Sequence, residues 1–420
     1  MIGSQHSTDG PHSAGGRDSA GGQDSAAGRD SAAGGGGRVK IATSIFTEMT
    51  ELARRTGAVN LGQGVPDLDS PPALLHEVAE AVLAGHNQYP PAYGVPELRQ
   101  AVAAHQKRRY GLDYAPDGEV LVTTGATEAL AATLLALTGP GDEILTLDPA
   151  YDAYPAGARL SGAALVPVPL VTEGDGFALD ADALRAAVTP RTRVLLFNSP
   201  HNPTGKVFRR DELEILAALC REHDLTAVTD EVYEHLVYDG EDHLPLAALP
   251  GMRERTVVIS SAGKTFNVTG WKVGWICAPA PLTAAVTSVK QFLTYASGTP
   301  YQRALAHMLD AVEPWAEELR TLLRGNRILL ADGLAAAGLR PYRAEAGYFL
   351  QTDVRPWGYQ DGFRFCRELP GLAGVVAIPT SAFREGPDPA PWLVRFSFCR
   401  RTDALRRAVT GLAAARPRHR

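Results

Sequence analysis

Short runs of consecutive apolar and β-branched residues recur through the middle of the chain. They fall at Val120–Thr123, Ile144–Leu147, Ala164–Leu170, Val194–Phe197, Thr226–Thr229 and Thr256–Ser260. The runs are continuous rather than alternating, the pattern of strands covered on both faces. Between several of them lie Ala-, Leu- and Glu-rich stretches with helical spacing, including Glu128–Leu137, Ala181–Val188 and Arg210–His223. Strand–helix alternation of this kind predicts an α/β fold with a mostly parallel sheet. A further apolar run, Val273–Ala278, follows closely and is a candidate antiparallel neighbour.

The pattern changes toward both ends. Ile45–Ala53 has helical apolar spacing, and Gly57 suits its end. From about Tyr301, two long helical segments (Tyr301–Val312 and Glu317–Ala336) lead to a mixed region. It closes with the strand-like Leu393–Cys399 and a last helix near Asp403–Ala414. The expected organisation is a large domain over 71–300 and a smaller α+β domain formed by 38–70 with 301–420. Residues 1–37 contain the near copies DSAGGQ, DSAAGR and DSAAGG, with no apolar residue in the repeat larger than alanine. That composition predicts a disordered Gly/Ser/Ala-rich tail, and it lacks the apolar segment of a secretory signal.

Composition narrows the function classes. The 420 residues are 45% hydrophobic and 21% charged, as in ordinary globular proteins, and the formal net charge is −6. Such a balance gives no reason to expect nucleic acid or an anionic membrane as a partner. No apolar run approaches a transmembrane length. The four scattered cysteines (Cys220, Cys277, Cys366, Cys399) have no metal-ligand spacing, so no metal is expected. They read as buried thiols of a reducing compartment, the cytoplasm.

Ligands of open α/β sheets bind beyond the carboxyl ends of the strands, so the residues just after each run carry the chemistry. Thr124-Gly125-Ala126-Thr127-Glu128 opens a helix with small residues, which suits phosphate; Thr127 as an ordinary helix cap is the alternative. In Asp148-Pro149-Ala150-Tyr151-Asp152-Ala153-Tyr154, Tyr151 is either a stacking platform for a planar ring or a core tyrosine. Asn202, in the turn Asn198–Lys206, carries an amide able to donate to a phenolate oxygen. His201 in the same turn reads as a loop histidine. Asp230 at a buried strand end calls for a cationic partner, a pyridinium nitrogen among the candidates, or else serves as a cap or ion pair. Tyr233 lies three residues on. Lys264 sits among small residues just after the sixth run, where a desolvated amine of lowered pKa forms Schiff bases with carbonyls.

Taken together in chain order, VNLGQGVPD, NQYPPAYG, TTGATEA, DPAYDAY, NSPHNPTGKV, TDEVYEHL, SSAGKTFNVTGWKVGW and LVRFSFC resemble the class I pyridoxal-phosphate aminotransferases of fold type I. The likeness runs from Ile45 to the last helix. It is greatest to the branch holding N-succinyldiaminopimelate, kynurenine/glutamine and methionine aminotransferases. The resemblance implies a homodimer with shared active sites, acting on an L-amino acid and a 2-oxo acid of the glutamate/2-oxoglutarate type. It makes Lys264 the Schiff-base former and proton shuttle, and Asp230 the partner of the pyridine nitrogen. Asn202 and Tyr233 would bond the phenolate oxygen, and Tyr151 would stack on the ring. Ala126, Thr127, Ser261 and Lys272 would hold the phosphate, and Arg395 the substrate carboxylate. Gly64 would line the substrate side, and Tyr89 would reach across from the other subunit. Position 272 is lysine, where aspartate-type enzymes carry arginine; the kynurenine-like branch shares the lysine.

Two other readings stand beside transamination. β-Elimination of cysteine conjugates would use the same lysine, aspartate and arginine. A ligand-sensing domain of a transcription regulator would need an upstream basic helix-turn-helix, which the composition of 1–37 does not supply. For substrate choice, the segment Val289–Gly298 has Phe292 and Tyr295 and no arginine, which points to a roomier, partly apolar side-chain pocket; the alternative is that both aromatics are core. Arg343 and Arg401 are the candidate cations for a second acidic group.

Overall fold

Strands of the central sheet are buried on both faces because successive residues of each enter different apolar clusters. The computed structural model describes residues 45–240 and 242–415, all within one unit, Thr43–Arg420; the Gly/Ser/Ala-rich segment 1–37 lies outside them. Seven strands form the sheet: β1 (Val120–Thr123), β2 (Glu143–Asp148), β3 (Ala164–Pro169), β4 (Thr192–Asn198), β5 (Thr226–Asp230), β6 (Thr256–Ser261) and β7 (Gly274–Cys277). Ile144, Val194, Leu196, Val228, Val257 and Ile259 pack on one side, and Leu145, Leu147, Leu195, Phe197 and Ala227 on the other. This double burial is why the runs are apolar throughout.

The spatial order is β1-β7-β6-β5-β4-β2-β3. β3, β2, β4, β5 and β6 are mutually parallel, and β7 is antiparallel to both β6 and β1. The link from β6 to β7 folds as one helical turn (Ala262–Thr265) and a 3-10 turn (Thr269–Trp271). No crossover helix carries the chain back across the sheet, so β7 returns antiparallel. Parallel pairing places Asp148, Asn198, Asp230 and Ser261, each the last residue of its strand, along one edge. Register sets Asn198 directly beside Asp230.

A second, antiparallel sheet of four strands, β8 (Arg340–Pro341), β9 (Phe349–Asp353), β10 (Ile378–Pro379) and β11 (Leu393–Ser397), runs in the order β8-β9-β11-β10. Helices Val312–Ala336, Gly362–Ala373 and Thr402–Ala415 bury their apolar stripes against it in one cluster, which also takes Met49 and Ala53 of the helix Ile45–Thr56. The segment after that first helix is tied to the same end of the molecule. Val59–Asn60 pairs in parallel with Val375–Val376, and Ser397 N donates to Leu61 O. Arg400 donates to the carbonyls of Asn60 and Gln63, which holds the loop carrying Gly62 and Gly64 in place. Among the described residues, no helix is long and apolar enough to cross a membrane.

One close approach joins sheet and site. A Cβ on Gly274, the first residue of β7, would lie 2.7 Å from Gly125 C and 2.9 Å from both Ala126 N and Ser260 O. All three are backbone atoms and none can rotate away. Gly274→Ala is therefore expected to lower unfolding free energy by roughly 1–3 kcal/mol, measured by denaturant titration.

Candidate active site

The strand ends open into a cavity of about 410 Å³. Its lining includes Gly64, Ala126, Thr127, Tyr151, Asn202, Asp230, Tyr233, Ser261, Lys264, Lys272 and Arg395. These residues come from eight separate stretches of chain, and the parallel sheet is what assembles most of them. Of the residues to which the resemblance gives a role, Tyr89 is the one outside this lining. Tyr89 is 85% exposed outside the cavity, with its ring 5.9 Å from that of Tyr295, edge to face.

Asp230 is the electrostatic centre. Only 4% exposed, it receives the Tyr154 hydroxyl on Oδ2 at 2.8 Å and a long bond from Val232 N on Oδ1 at 3.4 Å. No ion pair engages it among the described residues. Loss of hydration pushes its pKa up to about 6, against the pull of the Tyr154 hydroxyl and of Lys264. Lys264 sits half-buried on the single turn after β6. Burial lowers its pKa, and the neighbouring charges of Lys272 and Arg395 add to that effect. Its backbone is braced, since the Tyr348 hydroxyl donates to Lys264 O at 3.3 Å and Trp315 Nε1 donates to Thr265 O at 2.7 Å.

A cationic cradle lies across the cavity. Gly125 (φ +72°) turns the chain from β1 into the helix Gly125–Leu137, whose first N–H groups face the opening. Lys272 reaches the same place from a left-handed backbone (φ +55°) unusual for lysine, and donates to Thr127 Oγ1 at 3.4 Å. The N-terminal partial charge and the lysine together favour a dianion such as phosphate.

Arg395 on β11 is 2% exposed, with its guanidinium carbon 3.9 Å from the Phe349 ring centre and 4.2 Å from that of Phe383. Nη1 donates to Asn202 Oδ1 (3.1 Å) and Nη2 to Gly62 O (2.9 Å), while Nε is buried without a partner. Burial lowers its pKa to about 10, so it stays charged at neutral pH; no ion pair engages it among the described residues, and the Asp152 carboxylate in the same cavity acts on it from a distance. Gly64 lies where a Cβ would meet Phe349 Cζ at 2.4 Å; a side chain there would displace the ring that holds the arginine. Burial pushes the Tyr151 phenol up to about 12 and that of Tyr233 well up, so both remain hydroxyl donors.

Some expectations need correction. Phe292 (85% exposed) and Tyr295 are neither core nor cavity wall. The apolar lining comes instead from Phe46, Val65, Leu130, Val232 and Phe349. Arg343 pairs with Glu345 and Arg401 with Asp69, and neither lines the cavity. Tyr154, three residues beyond Tyr151 and in the first turn of the helix Ala153–Ser161, went unassigned although it bonds Asp230. Sequence spacing also missed a buried cluster of His105, Glu234 and His235, because the two histidines are 130 residues apart. The cluster is a hydrogen-bonded network in which His105 Nδ1 alone is left buried without a partner. The two Nε2 atoms bond each other at 2.9 Å, Glu234 accepts from Tyr110 and Ser260, and His235 Nδ1 lies 3.1 Å from Thr265 Oγ1. Burial lowers the pKa of both rings, that of His235 to about 3, so both are neutral.

The burial of Asp230 makes a stability prediction for the ligand-free protein. Its proton is held more tightly folded (about 6) than in an ordinary aspartate (3.8), so folded protein binds more protons between these values. Stability should therefore fall by up to roughly 3 kcal/mol as pH rises from about 4 to 6. Asp230→Asn should remove that component, which denaturant unfolding of both proteins at pH 4 and pH 7 will read.

Comparison with known proteins agrees with this arrangement. Residues 56–412 match the family Aminotransferase class I and II. A Mycobacterium tuberculosis protein named "Probable N-succinyldiaminopimelate aminotransferase DapC" is 52% identical over 389 residues, covering 90% of this chain and 97% of that protein. The solved structure of N-succinyldiaminopimelate aminotransferase from the same organism superposes with a TM-score of 0.87, covering 89% of this chain and 97% of that one. The methionine aminotransferase of Escherichia coli is 38% identical, covering 89% of this chain and 96% of that protein.

Proposed function

The chain belongs to the class I and II aminotransferases, and from that premise we propose that the cavity holds pyridoxal 5'-phosphate and that N-succinyldiaminopimelate is the amino-acid substrate, paired with a 2-oxo acid of the 2-oxoglutarate type. It is an enzyme of amino-group transfer. The observation that carries the cofactor reading is one cavity combining a buried carboxylate without an ion pair, an amine of lowered basicity and an anion cradle. The substrate reading rests on the 52% identity, shared over nearly the whole of the relative.

When bound, pyridoxal phosphate supplies an aldehyde that condenses with amines and a ring that withdraws electrons from the reacting carbon. The chain supplies the rest. Lys264 Nζ, kept weakly basic by burial, would be the amine that bonds the cofactor and, once released as the substrate amine takes its place, would take the proton from the substrate α-carbon. Asp230 places its negative charge at the ring nitrogen. Asn202 has its carbonyl oxygen occupied by Arg395, which leaves its amide N–H group to donate; with the Tyr233 hydroxyl it would hold the ring's phenolate oxygen. Tyr151 covers one ring face. The N–H groups of Ala126 and Thr127, the Thr127 and Ser261 hydroxyls and Lys272 Nζ hold the phosphate. Arg395 binds the substrate carboxylate with a guanidinium held flat between two rings, and Phe349 and Phe383 exclude water around it.

We further read the enzyme as a cytoplasmic homodimer in which Tyr89 reaches the cofactor of a second copy. The exposed aromatic group of Tyr89, Phe292 and Tyr295 supports that reading, being the kind of surface a partner covers. On the same reading, residues 71–300 carry the cofactor, and 38–70 with 301–420 carry Arg395.

Lys264→Ala should abolish both turnover and the visible absorbance of the lysine-bound cofactor. Normal turnover in that variant would end the assignment. Arg395→Lys should raise KM for the amino acid by roughly 10–100-fold, the worth of a hydrogen bond to a charged group. For the substrate, holoenzyme is mixed with N-succinyldiaminopimelate, methionine, kynurenine, glutamine or aspartate, and the loss of that absorbance is timed. N-Succinyldiaminopimelate should react fastest; if methionine or kynurenine outruns it, the substrate assignment passes to that compound.

A further inference from the structure

We infer that Tyr154 is a positioning residue of the transamination site, one that acts through Asp230 by holding one carboxylate oxygen and leaving the other to face the cofactor's ring nitrogen. The inference rests on the cofactor reading above.

The geometry is specific. Tyr154 lies in the first turn of the helix Ala153–Ser161, is 2% exposed, and has its hydroxyl 2.8 Å from Asp230 Oδ2. Oδ1 has only the 3.4 Å contact from Val232 N, so the two oxygens are unequal. One is saturated by a strong donor, and the other is the natural acceptor for a positively charged N–H. The Asp230 backbone is fixed independently, since its carbonyl accepts from Asn198 Nδ2 at 2.8 Å. With the main chain pinned, the Tyr154 hydroxyl decides the rotation of the carboxylate about its own axis. The Tyr154 ring also meets Tyr151 edge to face, at 5.7 Å and 87°. A single side chain thus braces both the residue under the ring nitrogen and the residue against the ring face.

The hydrogen bond has a chemical consequence. Asp230 and the ring nitrogen compete for one proton. Donation from a phenol stabilises the ionised carboxylate and leaves the proton on nitrogen, where it makes the ring an electron sink. The Tyr154 phenol is itself raised well above the ordinary tyrosine range by burial and by Asp230, so it remains a donor at every working pH. Without the hydroxyl, the carboxylate becomes more basic and draws the proton from the ring.

Tyr154→Phe keeps the ring and removes only the donor. With pyridoxal phosphate labelled by ¹⁵N in the ring, the nitrogen of wild-type holoenzyme should resonate as a protonated pyridinium. That of Tyr154→Phe should move toward the neutral value. kcat should fall roughly tenfold to a hundredfold, the worth of one hydrogen bond to a charged group, with KM for the amino acid nearly unchanged. Tyr154→His, which retains a ring donor, should recover part of both signals and separates the hydrogen bond from packing. In an Asp230→Asn background, Tyr154→Phe should cost almost nothing more, because the two residues act as one unit. An unchanged nitrogen resonance in Tyr154→Phe, or losses that multiply in the double variant, would overturn the inference while leaving the cofactor reading intact. Failure of wild-type protein to bind the labelled cofactor would overturn the cofactor reading itself.

Discussion

A carboxylate at the end of a buried strand is the constraint around which the site is arranged. Asp230 terminates β5 in the middle of the sheet, only 4% exposed at the cavity wall, and no ion pair engages it among the described residues. An isolated buried charge of this kind is costly, and the protein tolerates it only by surrounding it with partial compensation. The Tyr154 hydroxyl, the Val232 amide and the amine of Lys264 on the neighbouring strand end supply part of it. On the proposed assignment, the remainder would come from a cationic ring nitrogen. The parallel sheet is indispensable here, because only parallel strands bring so many carboxyl ends to one edge.

Arg395 is the mirror image of that arrangement, a buried cation with no ion pair among the described residues and only the more distant Asp152 carboxylate acting on it, set on the other sheet. Aromatic faces, one amide oxygen and one carbonyl hold it flat, and Nε is left unsatisfied. The two unpaired charges sit in one cavity and do not neutralise each other. Asn202 lies between them in function: its oxygen serves the arginine and its backbone N–H is held by Asn198, whose own amide bonds the Asp230 carbonyl. A change at either charge is therefore transmitted to the other through a short polar chain.

Much of this was legible in the sequence, for a physical reason. Double burial makes strands read as continuous apolar runs, and their ends mark the ligand edge, so Asp230, Asn202, Tyr151 and Lys264 could be singled out without coordinates. Contacts between residues far apart in the chain were not legible. Tyr154 was quoted with Tyr151 but met its partner only once β5 lay beside the turn, 76 residues away. His105 and His235 share a hydrogen bond that no spacing announces. Phe292 and Tyr295 were misjudged as candidate pocket or core. They stand exposed where the helix Ala280–Leu293 gives out, with Tyr295 in a left-handed turn (φ +59°). Helical periodicity says nothing about where a side chain points once the helix has ended.

The ring-held guanidinium of Arg395 has a consequence for handedness. On the proposed assignment it would fix the substrate carboxylate against the rings of Phe349 and Phe383, while the amino nitrogen of the same molecule is held elsewhere in the cavity. Two held groups do not tell mirror images apart, because the mirror-image amino acid makes the same two attachments with its hydrogen and side chain exchanged. The third point would be Lys264 Nζ in the same cavity, to which only one hand presents its hydrogen. Two phenylalanines that never touch the reacting bond would thus set the reference point against which the lysine reads the hand.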